Sequence, residues 1–332
     1  MKAIYEADID RGILEGSRIG VLGFGAQGRA HALNLRDSGA DVMVGLRPGS
    51  SSIAECAGLD LPTGPPERVA EEADLVVMLV PDEVQPTLYS DILAARMRKG
   101  SALVFAHGYS VHFRQISPRP DLDVLMVAPL GIGEQVRQTY AEGNGVPALL
   151  AIHQDATGTA RDRGLAYAAL NGHGRAGVLP TTFADETETD LFAEQAVLCG
   201  GVTHLITAAF ETLVEAGYSE ELAYFGCLHE LKLITDLVHS RGIAGMRRSI
   251  SSTAEFGDYT RGPRVIGAES KAAMKDMLDD IRTGQFAAEL TQEMQTGQPV
   301  LTAGREAAQA HRIETVGARL RAMMPWLADT GR

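Results

Sequence analysis

Ser17-Arg18-Ile19-Gly20-Val21-Leu22-Gly23-Phe24-Gly25-Ala26-Gln27-Gly28-Arg29 decides the fold. Ser17–Leu22 predicts a buried strand, Gly23–Gly28 is a GxGxxG turn, and Arg29–Asp37 predicts a helix. In that setting the first glycine permits the tight turn. The second lets the backbone approach a pyrophosphate, and the third allows close helix–strand packing. The motif by itself also occurs in glycine-rich turns of other α/β proteins. Here a second strand at Asp41–Gly45 follows at βαβ spacing, so a Rossmann-type dinucleotide-binding half is expected.

The end of that second strand separates the cofactors. An acidic residue there would bind the ribose hydroxyls of NAD. This chain has Gly45-Leu46-Arg47-Pro48-Gly49-Ser50-Ser51-Ser52 instead. Arg47 offers a forked donor set, and Ser50 and Ser52 offer hydroxyls and backbone N–H groups, which suits a 2′-phosphate. NADP(H) is expected over NAD(H); the alternative is a solvated turn with an incidental arginine. Further strands are predicted at Asp74–Val80, Ala102–Ala106 and Asp123–Val127. They lead into Pro81-Asp82-Glu83, His107-Gly108-Tyr109 and Pro129-Leu130-Gly131-Ile132-Gly133, and ligands bind beyond such strand ends. His107 is therefore placed to meet a nicotinamide or a substrate, with a structural histidine as the other reading.

After about Thr182 the strand pattern stops. Glu188–Cys199, Gly201–Ala216, Ser219–Val238, Lys271–Thr283 and Gly304–Met324 predict helices, with breaks at Gly200-Gly201, Gly217-Tyr218 and Gly257–Pro263. Asp190 and Glu194 share one side of a helix and suit a hard cation such as Mg²⁺. Such pairs are also common on solvated faces, but this one leads directly into the apolar run Ala196–Gly201. Glu230 lies among Leu228, Leu231 and Leu233, which predicts a buried or clefted acid, and a buried acid needs a partner or a metal. His229 reads as a surface or packing residue. Arg247-Arg248-Ser249-Ile250-Ser251 offers hydroxyls and positive charge for a substrate carboxylate, or is a basic turn in an acidic protein. The expected domains are 1–182 and 183–328.

The whole chain bounds these readings. Its 332 residues suffice for two domains, and 45% hydrophobic residues is ordinary for a soluble protein. A net charge of −13 argues against nonspecific binding to nucleic acid or an anionic membrane. The three cysteines, Cys56, Cys199 and Cys227, form no CxxC pair, so neither a zinc knuckle nor a disulfide framework is indicated. A reducing, cytoplasmic setting is expected. Met1–Glu6 lacks the apolar run of a signal peptide, and no apolar stretch is expected to span a bilayer.

Over nearly its whole length the chain resembles the short-form ketol-acid reductoisomerases. The matching segments include Gly23–Gly28, His31–Arg36, Gly45–Ser50, Phe105–Gly108, Gly145–Ala148 and Glu188–Gly201. Further on come Phe210–Gly217, Leu228–Lys232, Gly257–Tyr259 and Arg321–Trp326. The resemblance implies a Rossmann domain followed by a knotted, all-helical domain. It implies an alkyl shift on acetolactate-type acids under two Mg²⁺ ions, then reduction by NADPH. It also implies an interlocked homodimer, or a higher oligomer, whose active sites draw on both chains. Carried over by motif, Gly23, Phe24, Gly25, Ala26, Gln27, Gly28, Arg47, Ser50, Ser52, Pro81, Asp82, Glu83, Gln85, His107 and Gly133 are cofactor contacts. His107, Asp190, Glu194 and Glu230 are catalytic. Asp190 and Glu194 are metal ligands from one helix, with Glu230 from the partner subunit, and Ser251 binds the substrate carboxylate.

The departures fall in the substrate site. Leu130 stands where the family has lysine, Ile132 where it has proline, and Gly226 where it has a fourth metal carboxylate. Glu134 adds an acid to the same altered loop. Leucine supplies neither the charge nor the hydrogen bonds that support the alkyl shift. The leading expectation is a repurposed oxidoreductase/isomerase of specialised metabolism acting on another hydroxy, keto or dihydroxy acid. Its retained machinery is compatible with an Mg²⁺-stabilised enediolate that closes a small ring. The alternatives are an authentic reductoisomerase of branched-chain amino-acid biosynthesis and a noncatalytic cofactor-binding homologue.

Overall fold

The computed structural model describes residues 2–326. The chain divides into two compact units, Met1–Thr189 and Asp190–Arg332. This division falls inside the helix Phe183–Ala193, a little beyond the expected boundary at 182/183. Residues 1, 327 and 328 of the expected domains lie outside the described residues.

The first unit is built on one eight-stranded sheet, in the order β3-β2-β1-β4-β5-β6-β7-β8. These strands are Arg18–Leu22 (β1), Asp41–Gly45 (β2), Thr63–Gly64 (β3) and Leu75–Met78 (β4). Ala102–Phe105 (β5), Asp123–Pro129 (β6), Ala148–Gln154 (β7) and Val178–Pro180 (β8) complete it. All pairings are parallel except β6 with β7. A parallel sheet is covered on both faces, so its strands are apolar throughout rather than alternating. Side-chain alternation then divides them between two cores. Ile19, Val21, Leu75, Val77 and Val104 enter one; Leu22, Val76, Met78, Leu103 and Phe105 enter the other.

The strand order reverses at β1, which pairs with β2 on one side and β4 on the other. That is where doubly wound sheets open a crevice for a dinucleotide. Sequence reading places β1, β2, β4, β5 and β6, and does not place β3, β7 or β8. β3 and β8 are very short, and the apolar run of β7 does not distinguish strand from helix.

The second unit is helical. Phe210, Ala223, Tyr224, Ile313, Val316 and Leu320 form its core cluster. Its helices depart from the expected ranges in instructive ways. Gly200-Gly201 does not break the chain: a π-turn at Glu194–Leu198 runs directly into the helix Gly200–Glu215. A Cβ on Gly200 would lie 2.2 Å from the Gln195 carbonyl oxygen, and one on Gly201 2.1 Å from that of Ala196. The two glycines allow the widened turn to return to α geometry.

Gly257–Pro263 is likewise no break. The helix Ser252–Val265 passes through it, with Pro263 in its last turn at the cost of one ladder hydrogen bond. The expected helix Ser219–Val238 is three pieces: Glu220–Tyr224, a π-turn at Phe225–His229, and Leu231–Arg247 with a kink at Gly242. Gly304–Met324 is two helices, Pro299–Ala310 and Arg312–Arg321, parted at His311, whose backbone is extended and whose ring caps the second. Lys271–Thr283 begins earlier, at Ala268, and Gln285–Gln295 is an additional helix.

One expectation about membranes is corrected. The continuous run Phe183–Glu215 is 33 residues long and holds an 18-residue window of mean hydropathy 1.5, enough to span a bilayer by length and composition alone. Only 6% of that window is buried in this chain. Sequence reading missed it by treating Gly200-Gly201 as an interruption.

Candidate active site

The glycine-rich turn is held open by backbone geometry. Gly23 has φ +98°, and a Cβ there would meet the Leu79 carbonyl oxygen at 2.7 Å. A Cβ on Gly25 would meet nothing within 4 Å, so this backbone faces open space. The loop after β6 lies against the same turn. Gln27 Nε2 donates to the Gly131 carbonyl at 2.9 Å, and a Cβ on Gly133 would fall 2.3 Å from the Ala26 carbonyl. Leu130 N–H donates to the Pro147 carbonyl at 2.8 Å, which fixes the backbone but leaves the side chain 53% exposed. Ile132 is 69% exposed. The altered loop thus presents apolar side chains beside the cofactor turn.

After β2, Arg47 is exposed and has no ion pair among the described residues; Ser50 and Ser52 are half-buried, and Ser52 N–H donates to Ser50 Oγ at 3.4 Å. Pro81 and Glu83 are exposed beyond β4, and Asp82 accepts from Gln85. Gln85 itself is buried. Its amide donates to the Val80 carbonyl at 3.1 Å and to Asp82 Oδ1 at 2.9 Å, and its oxygen accepts from Ser110 Oγ at 2.9 Å. Its side chain therefore braces the loop after β4 against the turn after β5.

That turn carries His107. Its Nδ1 is 3.0 Å from Oε1 of Glu186, a residue only 4% exposed. Glu186 Oε2 accepts from the Gly108 N–H at 2.8 Å and from Thr187 Oγ1 at 3.3 Å. A buried carboxylate is tolerable because its lone pairs are met in this way. A carboxylate at Nδ1 also orients the imidazole and favours the Nδ1–H tautomer. Tyr109 stacks on the ring, with centroids 6.2 Å apart. Beyond it, His112 Nε2 lies 3.5 Å from Glu188.

Sequence reading missed Glu186, which stands in the acidic run Asp185–Asp190. The signal was the spacing: Glu186, Asp190 and Glu194 recur every fourth residue and so form one row along a helix.

Two of the three expected metal ligands lie at irregular helix geometry, and Asp190 lies in the regular helix Phe183–Ala193. Glu194 opens the π-turn Glu194–Leu198, and Glu230 directly follows the π-turn Phe225–His229, its N–H donating to the Phe225 carbonyl at 3.0 Å. Such widened turns recur at functional sites and re-aim the side chains around them. Glu194 and Glu230 are exposed in this chain, and Asp190 is not buried. The expectation that Glu230 is buried or clefted is corrected. Leu228 packs towards the helical core, Glu230 lies near the opposite face two residues on, and Leu233 is 57% exposed.

Asp190, Glu194 and Glu230 are oxygen donors of the kind that Mg²⁺ takes. Gly226 is exposed, and a Cβ there would meet nothing within 4 Å. His229 packs edge-on against Phe225 at 5.4 Å. Ser251 caps the helix Ser252–Val265, its Oγ accepting from Ala254 N–H at 3.2 Å, so its own proton is available to a ligand. Arg247, just before it, is paired with Asp258 at 2.6 Å and lies over the Tyr259 ring.

Comparison with known proteins then identifies the family. The acetohydroxy acid isomeroreductase NADPH-binding domain matches residues 13–177, and the ketol-acid reductoisomerase C-terminal domain matches residues 183–326. An NADH-preferring ketol-acid reductoisomerase from an uncultured archean is 44% identical over 97% of this chain and 99% of its own, with a TM-score of 0.93. At the level of fold alone, two other structures are similar. One is a semialdehyde dehydrogenase NAD-binding protein from Cupriavidus necator (17% identity, 80% and 99% coverage, TM-score 0.61). The other is a pyrroline-5-carboxylate reductase from Coxiella burnetii (12% identity, 79% and 96% coverage, TM-score 0.54).

Proposed function

The chain belongs to the ketol-acid reductoisomerase family, and from that premise we propose that it is an NADP(H)- and Mg²⁺-dependent oxidoreductase/isomerase turned to a hydroxy, keto or dihydroxy acid other than acetolactate. The observation that carries this reading is the exposed apolar pair Leu130 and Ile132 beside the glycine-rich turn. A group at that position touches whatever is bound next to the nicotinamide. Leucine gives it no charge to stabilise and no proton to exchange.

Gly226 supports the same reading. Among the described residues nothing lies within 4 Å of a Cβ at Gly226, so packing within this chain does not require glycine there. Two losses of this kind, neither imposed by the fold, point to altered chemistry.

Asp190 and Glu194, with Glu230 contributed by a second copy, would hold Mg²⁺, which offsets charge developing on substrate oxygens. His107, oriented by Glu186, holds or moves a proton at its imidazole beside the cofactor. Ser251 donates to the substrate carboxylate, and Arg47, Ser50 and Ser52 receive the 2′-phosphate of NADP(H). A homodimer with shared sites, and the knotted helical path of the family, suit the second unit's exposed apolar residues, among them Val197, Leu198, Leu222 and Phe256. Bilayer contact would explain the same surface less well, because Asp185, Glu186, Glu188, Asp190 and Glu194 crowd the start of the apolar run. The same proposal puts the enzyme in the cytoplasm and in specialised metabolism.

The archaeal relative favours a second reading on two points, an authentic reductoisomerase and a preference for NADH. A panel of 2,3-dihydroxy and 2-hydroxy-3-keto acids, assayed in both directions with each nicotinamide cofactor, tests the proposal. Turnover of a panel member without turnover of acetolactate supports it. Efficient turnover of acetolactate supports the second reading.

A further inference from the structure

Among the buried polar atoms that no partner meets within the described residues, three lie on neighbouring side chains: His31 Nε2, Asn171 Oδ1 and His173 Nε2. His31 and His173 are fully buried and Asn171 nearly so. Their other atoms are engaged, and for His173 and Asn171 those bonds fix the protons. His173 Nδ1 lies 2.7 Å from the Val146 carbonyl, which can only accept, so Nδ1 bears the proton and Nε2 is an acceptor. Asn171 Nδ2 donates to the Tyr167 carbonyl at 3.0 Å, which makes Oδ1 an acceptor as well. The Tyr167 hydroxyl lies 2.6 Å from His31 Nδ1; with the hydroxyl proton on that bond, the His31 proton resides on Nε2. Burial keeps both imidazoles neutral, lowering His31 to about 3 and His173 to about 4. The two ring centroids are 6.0 Å apart. With those protons placed, one donor and two acceptors stand unmet on three neighbouring buried side chains.

We propose that a single ordered water lies among these three side chains, accepting from His31 Nε2–H and donating to His173 Nε2 and Asn171 Oδ1, and that the completed chain positions the cofactor turn. Three hydrogen bonds are the usual complement of a buried water. The chain runs from Tyr167 through His31, the water and His173 to the Val146 carbonyl. Pro147, the next residue, accepts the Leu130 N–H. At its other end, His31 belongs to the helix Ala26–Asp37, which begins at the glycine-rich turn. Asn34 on that helix donates to the Val136 and Asn171 carbonyls and accepts from Arg137 at 2.8 Å. The network therefore joins the pyrophosphate turn to the loop bearing Leu130. His31 and His173 are positioning residues, acting through backbone that they hold in place.

The functional half of this inference rests on the cofactor reading above; the water and the tautomers do not. Long-range ¹H–¹⁵N correlation on histidine-labelled protein at neutral pH should show His31 as the Nε2–H tautomer and His173 as the Nδ1–H tautomer. A high-resolution crystal structure should show one water about 2.7–3.2 Å from all three atoms. His31→Gln keeps a donor at similar reach and should bind its preferred nicotinamide cofactor within about threefold of the parent. His31→Leu should weaken it about tenfold, the scale of one lost hydrogen bond.

An Nδ1–H tautomer at His31 would overturn the water chain, as would a metal at about 2.0–2.1 Å from the imidazoles. A folded His31→Leu protein with parental affinity would overturn the positioning role. If that variant does not fold, a folded His31→Gln protein that has lost its affinity overturns the role, and one that keeps it supports it. Failure of the parent to bind either cofactor would defeat the cofactor reading and leave the tautomers to judge the water.

Discussion

Nδ1 of His107 stands 3.0 Å from Oε1 of Glu186, while the other oxygen of the same carboxylate takes the Gly108 N–H at 2.8 Å. One buried side chain therefore orients the imidazole and holds the backbone turn that carries it.

Glu186→Ala should lower both stability and turnover. It leaves the Gly108 N–H unmet, at a cost of about 1–3 kcal/mol, and frees the His107 ring. Glu186→Gln keeps an acceptor for Gly108 but no charge for the imidazole, so it should recover most of the stability and little of the turnover. Thermal unfolding beside steady-state rates on the cognate substrate checks this. Equal recovery of both would reduce Glu186 to a packing role.

Arg47→Ala should weaken NADPH binding by roughly 1.5–3 kcal/mol, the range for a charge-assisted hydrogen bond, and leave NADH nearly unchanged. Calorimetric titration of both cofactors reads it. Equal losses for the two would remove Arg47 from the phosphate site. A parent that prefers NADH, like its archaeal relative, would remove the NADP assignment itself.

The buried histidines predict an acid limit to stability. His31 and His173 fall from an ordinary value of 6.5 to about 3 and about 4 on folding, because burial penalises the cation. Their contribution is complete above 6.5. As pH falls below that, the unfolded chain takes up protons that the folded chain refuses, so stability declines until the folded values are reached. Each histidine gives a slope of about 1.4 kcal/mol per pH unit in that window. Urea unfolding between pH 6 and pH 4.5 should show His31→Gln declining less steeply than the parent by about one proton. Identical slopes would contradict the assignment.

Much of the first unit is legible in its sequence because its chemistry is local. GxGxxG, the apolar strands and the residues at their ends follow one another within βαβ spacing, so reading along the chain finds β1, β2, β4, β5 and β6. Glu186 is harder to find, because an acidic run on a helix normally faces solvent, and only contact with His107, 79 positions earlier, marks it as different. The π-turns before Gly200 and Glu230 escape a reading that assumes 3.6 residues per turn, as does the exposure of Glu230 in this chain. His31, Tyr167 and His173 look like ordinary helix residues until the fold joins them across more than a hundred positions.

Shared sites can be tested by complementation. Asp190→Ala and Glu230→Ala chains, each inactive alone on the cognate substrate, should regain part of their activity when co-expressed, because one site of the heterodimer is then intact. Heterodimers confirmed by mass but without activity would place all the acids in one subunit.

Turnover of acetolactate tests the central claim most directly. NADPH consumption under saturating Mg²⁺ should be absent or far below the ordinary range of about 1–10³ s⁻¹. Leu130→Lys combined with Gly226→Glu should restore more activity than the two single changes predict, since both introduced groups act on one bound substrate. Parental turnover within the ordinary range would contradict the account and make the chain an authentic ketol-acid reductoisomerase.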